Sequence, residues 1–120
     1  MISLETCFAI LDTINHPIAF VDNDHVIRYL NKAAEERYYE VKGYSDLIGK
    51  SIFDCHTQKS RVQILEHYEQ LKSGENEIVR LAPKIRRKFT TVAVRDINGS
   101  LLGYYERSEK MEAANKNTPK

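Results

Sequence analysis

Hydrophobic positions along this chain switch between a helical period and a strand period. Leu4, Cys7, Phe8, Leu11 and Ile14 recur at helical spacing, with Ser3 placed to cap the start and Asn15-His16-Pro17 to end the run. This predicts a short amphipathic helix. Its single apolar stripe suits a sheet of its own domain or the same stripe of a second chain. Ile18–Val21 and Val26–Leu30 then read as strands of a β-hairpin, turning at Asp22-Asn-Asp-His25. Asn31 offers a side-chain cap to a helix over 32–39, which closes before Gly43. Residues 44–48 add a single helical turn, and Gly49 a sharp bend.

The longest predicted helix covers 59–73, with Ile64, Leu65, Tyr68 and Leu71 on one face and Gly74 at a left-handed stop. Three strands follow at 77–82, 88–95 and 101–106, the last two joined by a turn carrying Asn98-Gly99, a strong hairpin signal. Thr90, Val92 and Val94 alternate with more variable neighbours, which predicts that their face lies on the core. From Arg107 onward the chain is polar, without strand or strong helix periodicity, and 115–120 are expected to be loose. The order predicts an α+β domain: a five-stranded antiparallel sheet with helices packed on one face. Its parts are an N-terminal amphipathic helix (1–16), a core (17–108) and a polar C-terminal tail (109–120).

Composition narrows the function classes. A chain of 120 residues that is 42% hydrophobic is one globular domain, able to bury roughly two thirds of its unfolded surface. Eighteen basic side chains face 17 acidic ones, so no global charge recruits nucleic acid or a membrane surface. The nearest basic patch, Lys84-Ile-Arg-Arg-Lys88, reads as a solvated hairpin turn. Cys7 and Cys55 form neither CxxC nor CxxCH, which argues against a zinc ribbon or covalent haem attachment and for a reduced, cytoplasmic protein. No basic stretch leads into an apolar one at the N-terminus, and no window nears the ~18 apolar residues of a membrane span. A soluble, unexported chain is the expectation.

Candidate chemistry gathers between Ile48 and Ser60. His56, Lys59 and Ser60 sit at or near the start of the long helix, where unpaired N–H groups and the helix dipole favour an anion. Lys59 would add a charge-assisted bond, and Ser60 and the imidazole further hydrogen bonds. The plainer alternative has Thr57 or Ser60 capping the helix, His56 bonded to a backbone carbonyl and Lys59 solvated. An enzyme would use Cys55 as nucleophile and His56 as base. Adjacent residues rarely align their side chains productively, and neither an orienting group nor an oxyanion donor is identifiable, so no catalysis is expected. Cys55 reads more simply as a small, partly buried residue. Seven of the eleven aromatic residues are Tyr, a type that supplies apolar bulk with a polar tip for core packing or a cleft wall.

Four stretches, in this order, resemble the PAS domain family of sensor modules. They are Ile18-Ala-Phe-Val-Asp22; Ile27-Arg-Tyr-Leu-Asn-Lys-Ala-Ala34; Gly43-Tyr-Ser-Asp-Leu-Ile-Gly-Lys-Ser51; and Arg95-Asp-Ile-Asn-Gly-Ser-Leu-Leu-Gly103. The resemblance spans about residues 5 to 108. Phe53-Asp-Cys-His-Thr-Gln-Lys-Ser60 is similar to a subgroup with a Cys-His pair opening the long helix, whereas Ser108-Glu-Lys-Met111 departs from the Asp-Ile-Thr exit of many members. The resemblance implies a cup between sheet and helices, with Cys55, His56, Lys59, Ser60 and Tyr68 as candidate ligand contacts. Some PAS sensors bind haem through a histidine on the long helix, which makes His67 and His56 the candidate ligands for that cofactor. No metal site is expected otherwise, and the reactive-cysteine motif of the light-sensing relatives is absent. The implied partners are a small-molecule ligand, a second copy through the N-terminal helix and exposed sheet face, and a downstream signalling protein. The alternative is an interaction domain whose cup is filled by its own side chains.

Overall fold

The computed structural model describes residues 1–111, and Cys55 by its backbone alone. Helix α1 (Leu4–Asp12) starts where Ser3 Oγ accepts the Thr6 N–H at 3.1 Å. Strands β1 (Ile18–Asp22), β2 (Ile27–Leu30), β3 (Glu77–Ala82), β4 (Arg87–Arg95) and β5 (Leu101–Lys110) form one sheet in the order β2-β1-β5-β4-β3. Every neighbouring pair is antiparallel. The last strand therefore sits in the middle, where it joins the N-terminal hairpin to the C-terminal strands.

Two helices and their connection cover one face of this sheet. Helix α2 (Lys32–Glu35) widens into a π-helical turn (Glu36–Val41), and a 3-10 turn (Ile52–Cys55) leads into α3 (Gln58–Lys72). Val21, Ile27, Leu30, Ala34, Leu47, Leu71 and Tyr104 make the buried apolar cluster. Helix α1 contributes nothing fully buried. It leans on edge strand β2, where the Phe8 and Tyr29 rings stack with centroids 5.1 Å apart.

Asn31 is the joint between these parts. Its side chain is fully buried, and Oδ1 accepts the N–H groups of Ile18 and Ala34, both at 2.9 Å. Nδ2 donates to the carbonyls of His16 at 3.0 Å, Leu11 at 3.3 Å and Ile14 at 3.4 Å. One amide thus caps α2, pins the start of β1 and holds the chain leaving α1. A second fixed point is Gly103, with φ 154°. A Cβ there would run into the Val21 carbonyl oxygen and lie 2.9 Å from Asp22 Cα, so the close approach of β5 to β1 requires glycine.

The structure revises four local expectations. Residues 44–48 form no helical turn: Asp46 takes a left-handed φ of 51°, and the backbone bonds go elsewhere. Leu47 N donates to Tyr39 Oη at 3.2 Å, and Gly49 N to Ile27 O at 2.7 Å. Leu65 is exposed rather than on the packing face of α3, because it lies one helical step beyond Ile64. Strand β5 outlasts the polar change at Arg107, since pairing through Arg87↔Lys110 needs only backbone groups. Finally, Phe89, Thr91 and Ala93 face the helices, and alternation puts Thr90, Val92 and Val94 on the opposite face. The helix-facing side borders a hollow, where Thr91 sits beside Arg80 and Glu106 of the flanking strands, so the Val-rich alternation points the wrong way. The expectation for 115–120 lies outside the described residues.

Candidate functional site: a cavity between sheet and helix

Between the sheet and α3 lies a cavity of about 260 Å³. Ala19, Val21, Phe89, Thr91, Tyr104 and Glu106 line it from the sheet, and Ser60, Gln63, Ile64, His67, Tyr68 and Leu71 from α3. Spacing explains the helical set: 60, 63, 64, 67, 68 and 71 are the i, i+3, i+4 series of one stripe. Tyr38, carried by the π-helical turn, and Tyr44 line it too. Such turns frequently occur at functional sites.

Tyr68 and Tyr104 of the lining belong to a larger aromatic group that extends behind the wall. The His25 ring lies 4.7 Å from Tyr68 and 5.0 Å from Phe53, centroid to centroid, and its Nδ1 is 3.0 Å from Tyr104 Oη. A left-handed φ of 63° at His25 makes this placement. Tyr68 Oη donates to Asn23 Oδ1 at 3.0 Å, and Asn23 Nδ2 donates to Leu101 O at 2.7 Å. Burial lowers the His25 pKa against the raising pull of Asp22 and Asp24. It likewise raises that of Tyr104, with Glu106 adding to the effect.

The residues singled out between Ile48 and Ser60 separate. Thr57 Oγ1 accepts the Ser60 N–H at 3.2 Å and so caps α3. His56 Nδ1 donates to Ile52 O at 2.6 Å, while the ring lines the cavity. Ser60 lines it as well and its Oγ accepts from Thr57 Oγ1 at 3.2 Å. Lys59 is exposed and is not part of the lining. Tyr68 and His67 both line it, and burial followed by the charge of Arg80 lowers the His67 pKa. For Cys55 only the backbone is placed, in the 3-10 turn.

Sequence reasoning passed over the two charged groups of the lining, Glu106 and Arg80. Burial pushes the Glu106 pKa up, against the opposing charges of Arg80, His56 and Lys42. A signal did exist. Tyr104 and Glu106 are two apart on one strand, so a charged residue shares the face of a buried aromatic.

Imidazoles are suitable haem ligands, and His56 and His67 supply two around the cavity. The space is another matter. At about 260 Å³ it falls below the ~300–1,000 Å³ that holds drug-sized molecules, and a porphyrin does not fit between these walls as they stand.

An antiparallel sheet covered on one face by helices around a hollow defines a cup-shaped α+β domain. The sequence names the family: residues 11–115 match the PAS fold, and the chain belongs to it. The C-terminal domain of a Streptococcus mutans protein superposes with a TM-score of 0.75 at 23% identity, over 91% of this chain and 85% of that one. The PAS domain of a Colwellia psychrerythraea protein gives 0.67 at 17% identity, over 90% and 96%. A sensory box sensor histidine kinase from Vibrio cholerae gives 0.62 at 16% identity, over 90% and 88%. No curated protein matches the chain. Among the described residues, no helix is long and apolar enough to cross a membrane.

Proposed function

We propose that this PAS domain is a cytoplasmic, non-catalytic sensory module whose cavity binds a small molecule and passes the bound state to a signalling partner. The observation that carries the reading is the hollow itself, with mostly apolar walls that include five aromatic rings and with a few convergent polar groups, the usual make-up of a ligand site. Binding shifts the packing of α3 on the sheet only if the two packings differ in ligand affinity. Native mass spectrometry of protein purified from its own host tests this. The expected result is a mass increment that is absent from a folded Ala19→Phe variant, in which the hollow is filled. A bare chain in both proteins refutes the ligand reading.

A second reading has a specific observation behind it. On the face turned away from the cavity, Val79 and Leu81 remain 53% and 59% exposed, as do Leu4 and Phe8 of α1 at 69% and 40%. Exposed apolar groups of this size suit pairing with a second copy. Light scattering at rising concentration should show a dimer that Leu81→Glu weakens. A strictly monomeric wild-type chain refutes it.

A further inference from the structure

The charged half of the cavity is unbalanced. Arg80 on β3 and Glu106 on β5 both line it, with β4 between their strands. The guanidinium carbon of Arg80 lies 4.4 Å from the centroid of the Phe89 ring, well inside the ~6 Å range of a cation–π contact. Glu106 has no such outlet. Among the described residues its carboxyl makes no hydrogen bond and no ion pair. Glu106 is half-buried beside the hollow, with protein packed densely round its carboxyl. A buried carboxyl left in this state is costly, and it is either neutralised or paired.

We propose that the ligand is a small, flat aromatic base, an amine or amidine, whose N–H groups bond the Glu106 carboxylate while its ring lies among Tyr38, Tyr68, Phe89 and Tyr104. This rests on the cavity being the ligand site, as proposed above. Size sets the first limit, because the space equals the share of roughly nine waters, enough for one ring with a short substituent. The walls favour a ring that can stack or meet them edge-on. Glu106 then selects the substituent, since an ionised carboxylate only accepts hydrogen bonds and pairs most strongly with a cationic donor. An acid is the rival class. It would use Arg80, whose charge is already turned to Phe89, and it would sit near a like-charged Glu106.

Three flat molecules of near-identical size separate these classes: benzamidine, benzamide and benzoate, titrated calorimetrically into the whole chain at pH 7. Benzamidine should bind about tenfold tighter than benzamide or more, with benzoate weakest, as a charge-assisted bond implies. Glu106→Gln should remove about tenfold of the benzamidine affinity and leave benzamide unchanged. Tighter binding of benzoate overturns the ligand class and leaves the cavity standing as the site. If neither these three nor toluene bind, both readings fall. Should Glu106→Gln not fold, nuclear Overhauser contacts in the wild type decide. They must connect the benzamidine ring to Tyr104 and Phe89, and their absence overturns the placement.

Discussion

Asn31 and Glu106 are both polar groups set inside the fold, and the protein treats them in opposite ways. Asn31 is fully enclosed and meets five backbone groups, so its burial serves construction. Glu106 faces the hollow with no partner among the described residues, so its burial leaves a demand open. Asn31 ties β1, α2 and the chain leaving α1 to one another, whereas α3 meets the sheet in part across the hollow. The continuous sheet gives α3 a frame against which a packing change can be registered.

Substitutions can break this contrast at graded strength. The largest loss should come from Gly103→Ala, because the added methyl meets backbone atoms of β1 rather than a movable side chain. About 4 kcal/mol or more of stability should vanish in denaturant titration, a size reserved for overpacking combined with a strained φ. Asn31→Ala should cost roughly 3 kcal/mol, combining a lost cap with a buried Ile18 N–H left unsatisfied. A loss under about 0.5 kcal/mol, the range of plain surface changes, would remove Asn31 from its role as joint.

Glu106→Gln should act in the other direction. The folded pKa of Glu106 lies above its ordinary value of 4.5, so its protonated form is favoured by folding. Its contribution to stability is complete below that value and is lost as pH rises toward the folded pKa. Melting temperatures of wild type and variant should therefore nearly coincide at pH 4. At pH 7 the variant should be ahead by about 1 kcal/mol, the scale of one poorly satisfied buried polar group, or roughly 4 °C. Equal curves at both values would mean that Glu106 is not penalised. Lys59→Ala should change stability by less than about 0.5 kcal/mol, and an effect on benzamidine binding would return Lys59 to the site.

How much was legible in the sequence follows the same division. Ser3, Asn31 and Gly74 mark element ends through local chemistry, and Asn98-Gly99 marks the last hairpin, so five strands in the right chain order were readable from residues near one another. The cap at Asn31 was readable too, but its bonds to His16, Leu11 and Ile14 were not, because they depend on where α1 comes to rest. The sheet face was misread for a physical reason. Pattern reading assumes that the more apolar face meets a filled core, and here Phe89 and Thr91 border a hollow. Chemistry looked for near the start of α3 drew attention to Lys59, while Glu106 and Arg80 lay unnoticed in strands, brought together only by the sheet.

A void has a thermodynamic meaning of its own. Whatever part of the hollow of about 260 Å³ neither ligand nor water fills is lost on unfolding, and compression favours the smaller state. Occupancy of the hollow converts directly into resistance to compression, which makes the midpoint pressure of unfolding a gauge of how completely the interior is filled.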